Sequence, residues 1–331
     1  MLSLNIDRVT EILSKAENAK VAVIGDVMLD RFYWGNVNRI SPEAPVPVVE
    51  LNEETYHLGG AANVASNLKS LGLQPILLGV LGNDFAAQEF ITLAKNSGLN
   101  SDGLFIDKSR STTVKTRIIA NNQHVARIDK ETRAKISTDA QTFFENYLKS
   151  INNLEAIIFE DYDKGVLSKE LIQNIIAFAK KKNILVTVDP KQDNFFYYKG
   201  VDLFKPNKKE ASLALGKKID TKENVKQAGL ILLESLQCKN LLITLGSEGM
   251  ILFQEDGNIF SVPTRARQVS DVSGAGDTAI ASYTAAIIGG ANVIEAASIA
   301  NFASGTVCEK PGVVSIEIND LLATIKRNGN Y

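Results

Sequence analysis

A chain of 331 residues, with 36 Lys plus Arg against 38 Asp plus Glu and a formal charge of −2, is long enough for two ordinary domains or one large α/β unit. Its 45% hydrophobic and 22% charged content excludes wholesale disorder, and a charge so near zero leaves no basic footprint for nucleic acid as the main partner. No apolar run reaches the ~18 residues of a membrane helix, and the mixed polar residues 1–20 contain no apolar signal core, so a soluble cytoplasmic protein with no membrane partner is expected.

Along the chain, short apolar runs alternate with longer amphipathic ones. Strand-length runs fall at residues 21–25, 75–79, 156–159, 184–188 and 241–245, with a shorter one at 202–204. Their near-continuous apolarity implies burial on both faces, as in a parallel sheet covered by helices. Between them the spacing predicts helices over residues 61–71, 85–96, 168–181, 224–236 and 278–288. Strand and helix in repetition define an α/β three-layer sandwich with a central, mostly parallel sheet. There is no internal repeat and no Gly/Ser- or Pro-rich linker, so residues 1–331 are expected to form one domain. Two stretches break the rhythm. Residues 33–57 carry Pro42, Pro45 and Pro47 before an alternating run, and residues 112–129 alternate again. Alternation implies a half-exposed antiparallel sheet with the prolines at its edge, suited to a lid or to pairing two copies. Cys238 and Cys308 have no metal or redox spacing and are expected to be small core residues.

Five motifs carry chemistry. Gly25-Asp26 with Asp30 follows the first strand, where ligands bind in an open α/β sheet, although Asp there is also a common turn residue. Leu58-Gly59-Gly60-Ala-Ala-Asn63 opens a helix; the paired glycines let a ligand touch backbone, and Asn63 both donates and accepts. Lys205-Pro-Asn207-Lys208-Lys209-Glu210 has the spacing of a capping box, and the same Asn207 and Glu210 suit ordering water around magnesium. Thr244-Leu-Gly246-Ser-Glu-Gly249 forms a turn that a nucleotide phosphate could approach, or a plain β-turn. The most informative is Val272-Ser-Gly274-Ala275-Gly276-Asp277, opening a small-residue helix closed by Gly289-Gly290. Backbone N–H groups at that helix start favour an anion. Asp277 either stabilises the helix start or accepts a proton from a hydroxyl attacking the bound phosphate. Gly274-x-Gly276-x-x-Ala279 also meets a loose dinucleotide fingerprint, but Arg265 to Asp271 is not the apolar strand such a motif follows.

In this order the five motifs resemble the ribokinase-type (PfkB) sugar kinases from about residue 21 to residue 310. The resemblance implies transfer of the ATP γ-phosphate to a sugar hydroxyl with Mg2+, on a mostly parallel sheet with a small β lid that often pairs subunits. A narrower likeness follows. Gly25-Asp-Val-Met-Leu-Asp-Arg31, Arg39-Ile-Ser-Pro-Glu-Ala-Pro-Val-Pro47, Thr113-Val-Lys-Thr-Arg117 to Arg127-Ile-Asp129, Asp161-Tyr-x-Lys-Gly165 and Asp189-Pro-Lys191 resemble the D-glycero-β-D-manno-heptose 7-phosphate kinases. With no His-x-Gly-His after the kinase region, the stand-alone form of that enzyme is the expectation, with the kinase domain of the bifunctional ADP-heptose synthesis protein as the alternative. Carried over by position, Asp277 is the expected base and Gly274, Ala275 and Gly276 the anion hole. Asn207, Lys208, Lys209, Glu210, Thr244, Gly246 and Gly249 face ATP, with Asn207 and Glu210 holding Mg2+ through water. Asp30, Gly59, Gly60 and Asn63 hold sugar hydroxyls. Arg117, Arg127 and Lys164 take the substrate's own phosphate, with Arg suited to bidentate contact and Lys to a point charge. Glu160 and Asp163 make this stretch more acidic than the family pattern and are expected to weaken the Lys164 contact. The expected partners are a sugar phosphate, ATP and a second copy through the lid. Two other readings stay open: a ribokinase-type kinase for another sugar, and a catalytically silent nucleotide-binding protein on the same fold.

Overall fold

The alternating faces of the first strand determine the layering. In Val21-Ala-Val-Ile24 the two valines enter one apolar cluster, while Ala22 and Ile24 enter another on the opposite side of the sheet. The computed structural model describes residues 4–264 and 270–328. Its strands are β1 (Lys20–Gly25), β2 (Val27–Ile40), β3 (Pro47–Gly60), β4 (Gln74–Leu81), β5 (Leu104–Ile106), β6 (Val114–Ala120), β7 (Gln123–Lys130), β8 (Leu154–Glu160), β9 (Leu185–Asp189), β10 (Leu203–Phe204), β11 (Asn240–Thr244), β12 (Met250–Gln254) and β13 (Ile259–Val262). The helices are α1 (Ile6–Ala16), α2 (Ala61–Ser70), α3 (Phe85–Asn96), α4 (Thr138–Ser150), α5 (Lys169–Lys182), α6 (Lys208–Leu215), α7 (Lys222–Leu236), α8 (Ala275–Ile288), α9 (Val293–Cys308) and α10 (Ile318–Asn328).

Among the described residues, nine strands form the main sheet in the order β13-β12-β11-β10-β9-β8-β1-β4-β5. Pairing is parallel from β5 to β11, and β12 and β13 add an antiparallel edge. Apolar side chains of α1, α2, α3, α8, α9 and α10 pack in the first cluster, and those of α4, α5 and α7 in the second. This is the three-layer arrangement that doubly buried strands require.

The excursions at residues 33–57 and 112–129 become a second, four-stranded sheet in the order β3-β2-β6-β7. Two features differ from expectation. The hairpin is longer, since β2 begins at Val27, one residue after Asp26, and β3 runs to Gly60 at the start of α2. The sheet is also mixed: β2–β3 and β6–β7 are antiparallel, but β2–β6 is parallel. The chain passes through α2, β4, α3 and β5 between β3 and β6, a crossover long enough to bring β6 back in the same sense as β2. Register sets Asp30 beside Lys115, and Lys115 in turn beside Asp129, and pairs Arg117 with Arg127, so these charged side chains share one face of the lid.

Of the two cysteines, Cys238 is buried, its thiol pushed up to about 12 by desolvation. Cys308 is only partly buried and lines a cavity, contrary to the expectation of a core residue. No helix among the described residues is long and apolar enough to cross a membrane.

Candidate active site

The site lies where the carboxyl ends of the parallel strands meet the N-terminus of α8 and the base of the lid. Gly274 precedes α8 with φ 79, the left-handed region that glycine adopts without strain. A Cβ there would stand 2.7 Å from Asn63 Nδ2. Asp277, three residues on, is buried and bonds to side chains outside its own helix. Asn63 Nδ2 donates to Asp277 Oδ2 at 2.7 Å, and the Tyr162 hydroxyl donates to Oδ1 at 3.1 Å. The amide orientation of Asn63 is set by Asn67, whose Nδ2 donates to the Asn63 carbonyl at 2.8 Å and to its Oδ1 at 3.3 Å. Burial raises the Asp277 pKa above the usual carboxylate value, partly offset by the Asn63 bond. A carboxylate moved toward neutral pH is a better proton acceptor than an ordinary aspartate.

Beside Asp277 lies a charged cluster from three further segments. Asp189 ends β9 and accepts from Lys205 Nζ at 2.7 Å; Lys191 Nζ stands 3.9 Å from the same carboxylate and donates to Glu210 at 2.7 Å. Burial opposes the charge of both lysines, but Asp189 together with Glu210 and Glu160 outweighs it and holds both pKa values above normal. Glu160, the last residue of β8, is fully buried, and neither carboxylate oxygen has a hydrogen-bond partner among the described residues. Desolvation, then Asp189 and Asp277, push its pKa well above the usual range. Glu160, Asp189 and Asp277 each place an oxygen within 4.8 Å of the others. Hard oxygen donors with an unsatisfied carboxylate among them fit a divalent cation such as Mg2+.

One side of the site is built by the lid. Asp30 forms an ion pair with Arg117, whose guanidinium lies 4.9 Å from the Phe32 ring centroid. A side chain on Gly59 would collide with Asp30, so the glycine makes room for that carboxylate. Gly60 immediately precedes α2 and Asn63. Lys164 is buried and paired with Glu131 at 2.6 Å. Arg127 stands opposite Arg117 but is exposed, its guanidinium turned onto both oxygens of Asp129.

On the other side, Thr244, Gly246, Gly249, Ala275, Gly276 and Cys308 border a largely apolar cavity of about 430 Å³. It opens beside the N-terminus of α8, a place suited to a flat ring system whose phosphates reach the helix start. Asn207 and Glu210 form the complete capping box. Asn207 Oδ1 accepts from the Glu210 N–H, and Glu210 Oε2 from the Asn207 N–H, each at 2.8 Å. Because Lys191 takes Oε1, both Glu210 oxygens are occupied, and a metal would meet them only through water. Lys208 lies 3.9 Å from Glu248, and Lys209 points to solvent.

Two expectations are corrected. Asp26 does not face a ligand: its carboxylate accepts the backbone N–H groups of Tyr162, Lys164 and Val166, so it clamps that loop. Glu160 and Asp163 do not contact Lys164. Glu160 belongs to the carboxylate cluster, Asp163 accepts from the Asp193 N–H at 3.2 Å, and the anion against Lys164 is Glu131. The Arg265–Asp271 stretch read as a non-strand lies, for residues 265–269, outside the described residues. Sequence reasoning gave no role to Tyr162, Lys115, Lys191 and Lys205. Tyr162 sits between two ammoniums, Lys115 at 4.7 Å and Lys191 at 4.9 Å from its ring centroid. All four lie in strings already singled out, Thr113 to Arg117, Asp161 to Gly165, Asp189 to Lys191 and Lys205 to Glu210, which was the available signal.

Burial and then Asp161 push Asp163 up to about 6, and its φ is 54, where Asn is well tolerated. A folded pKa above the ordinary value means stability present at low pH and lost as pH rises through about 6. Asp163→Asn removes that loss while its Oδ1 still accepts from Asp193. The expected gain at pH 8 is ~0.5–1 kcal/mol after discounting for solvent screening, and near zero at about pH 3, below the ordinary aspartate value. Thermal melts at both pH values check this; an equal shift at both overturns the electrostatic account.

The sheet order, the small second sheet and a glycine-led helix start carrying a buried carboxylate define a ribokinase-like α/β kinase. A profile described as the pfkB family carbohydrate kinase matches residues 18–319, and the chain belongs to that family, a family of phosphotransferases acting on sugars. It is 41% identical over 303 residues to the "Bifunctional protein HldE" of Helicobacter pylori strain J99, which covers 91% of this chain and 65% of that protein. It is 39% identical over 318 residues to the protein of the same name from Geobacter sulfurreducens, covering 96% and 65%. The chain thus spans just under two thirds of the length of these curated relatives. Among solved structures, Escherichia coli phosphofructokinase-2 in complex with fructose-6-phosphate has a TM-score of 0.77 at 17% identity, covering 94% of this chain and 99% of that one. Arabidopsis thaliana ribokinase complexed with ribose and ATP has a TM-score of 0.74 at 20% identity, with the same coverage.

Proposed function

We propose that the protein transfers the γ-phosphoryl group of ATP to the C1 hydroxyl of D-glycero-β-D-manno-heptose 7-phosphate, giving the 1,7-bisphosphate for ADP-heptose synthesis. Residues 1–331 act as one kinase domain with the lid inserted. The observation that carries the reading is Asp277, a buried carboxylate with a raised pKa at an anion-binding helix start, held by Asn63 and Tyr162. The N–H groups of Gly274 to Gly276 receive the γ-phosphoryl group, and the cavity beside Thr244, Gly246 and Gly249 takes the nucleoside. Asp277 removes the proton from the hydroxyl as its oxygen attacks phosphorus. When bound, Mg2+ neutralises charge on the phosphates; Asp189 and Glu160 are the directly available oxygens, with Asn207 and Glu210 acting through water. Asp30, Gly59, Gly60 and Asn63 orient the sugar. Arg117 and Lys164 meet its 7-phosphate, with Arg127 at the rim.

An ADP-release assay over a panel of acceptors tests this. Turnover with heptose 7-phosphate, exceeding that with fructose 6-phosphate and ribose, is expected. No turnover with the heptose while another sugar reacts overturns the acceptor assignment.

We also propose a homodimer through the lid. The β7 edge is exposed along its length, and Ile40 and Ile128 are 60% and 57% exposed on that sheet. An uncovered edge with apolar side chains invites pairing, and a second copy removes it. Light scattering at micromolar concentration is expected to give twice the chain mass, and a monomer counts against the lid as an interface.

A further inference from the structure

Lys205 follows β10 at the carboxyl edge of the main sheet, 2% exposed. Burying an ammonium is costly unless it is paired, and Asp189 supplies the pair at 2.7 Å. An ammonium has three donors, and this contact uses one. The surroundings show where the others can point. A Cβ built on Gly276 would lie 3.4 Å from Lys205 Nζ and 3.4 Å from Asp189 Oδ2. The ammonium therefore sits against the first turn of α8, beside backbone N–H groups that lack helical partners. A side chain at position 276 would press on the ammonium; glycine keeps that side clear, and Gly276 also borders the cavity at the start of α8. Glu160 and Asp277 place carboxylate oxygens within 4.8 Å of Asp189, so the charge on Lys205 is balanced from the protein side while its open side faces the helix start.

We propose that Lys205 is a catalytic residue whose ammonium contacts the phosphoryl group in transit. This rests on the kinase reading above. The acceptor O–H bond breaks and its proton passes to Asp277. A bond forms between that oxygen and the γ-phosphorus, and the bond from phosphorus to the β–γ bridging oxygen breaks, its electron pair leaving with ADP. Lys205 stays protonated throughout and donates to an equatorial phosphoryl oxygen, where charge accumulates.

The competing view makes Lys205 a structural counter-ion for Asp189 and Glu160. The two separate in a paired variant, because Lys205→Met alone strands buried carboxylates and destabilises the site, whereas in a Glu160→Gln background the least solvated of those carboxylates is already a neutral amide. The reference is Glu160→Gln alone. Relative to it, the double variant is expected to melt at a similar temperature, to bind ADP with a Kd within about threefold, and to lose ~10²–10³-fold in kcat. It is also expected to bind ADP with aluminium fluoride, a mimic of the phosphoryl group in flight, at least ~10-fold more weakly, a contact of about 1.4 kcal/mol or more. Equal kcat and equal aluminium fluoride affinity in the two variants overturn the proposal, as does weakening of ADP alone by the same factor. The aluminium fluoride arm needs no acceptor sugar, so a wrong acceptor assignment leaves it readable.

Discussion

Asp277→Asn is expected to lower kcat by ~10²–10⁴-fold in a protein that still folds. Asn is nearly isosteric, and Tyr162 can still donate to its oxygen. Only the bond from Asn63 is lost, since two amide NH2 groups cannot pair, which costs ~1 kcal/mol or somewhat more at a buried site. What disappears is the proton acceptor whose pKa burial has raised. Phosphoryl transfer depends mainly on positioning and charge stabilisation, so a residual rate survives. ATP affinity holds or improves slightly, because a carboxylate beside the γ-phosphate is gone. Measuring kcat, ATP affinity and a thermal melt on one preparation checks all three. Near-wild-type kcat in the folded variant would make Asp277 a structural residue.

Lys164→Ala is expected to raise KM for the sugar phosphate by ~10- to 150-fold and leave KM for ATP within a few-fold. Lys164 is buried on the lid side, away from the cavity beside Thr244 and Gly249. The fold tolerates the change because Glu131 keeps Arg133 at 2.9 Å. Arg110, which donates to the Lys164 carbonyl, binds backbone and not the deleted side chain. Steady-state kinetics with each substrate varied in turn separates the two constants; equal rises in both would place Lys164 outside the acceptor site.

The parts legible in the sequence were those whose physics is local. Doubly buried strands read as continuous apolar runs, and helix starts announced themselves through Asn207 with Glu210 and through Gly274 to Gly276. The residues 85–96 pattern became α3 (Phe85–Asn96) without shift. The edge strands β12 and β13 went unread because Met250 to Val262 has turn residues where pairing is short and one-sided. The parallel β2–β6 pairing escaped because sense is set by a crossover of some fifty residues, not by either strand. The Glu160, Asp189, Lys205 and Asp277 cluster was illegible for the same reason. Its members come from the ends of three strands and the start of a helix, with no spacing to link them. Asp26 misled because the expected signal, an acid after the first strand, is as well satisfied by a loop clamp as by a ligand.

The long hairpin has a mechanical consequence. β2 is 14 residues, about 45 Å of extended chain, rooted at the Val27–Gly60 pair, with Asp30 three residues from the root and Ile40 at the tip. A pivot at the root therefore carries Asp30 only about a quarter as far as the tip. The arm works as a reduction lever, in which coarse displacement outside becomes fine adjustment at the acceptor end. Whatever grips the tip sets the play left to Asp30 and the Arg117 beside it. Stiffness at the sugar is thus determined in part some ten residues away, at the far end of the arm.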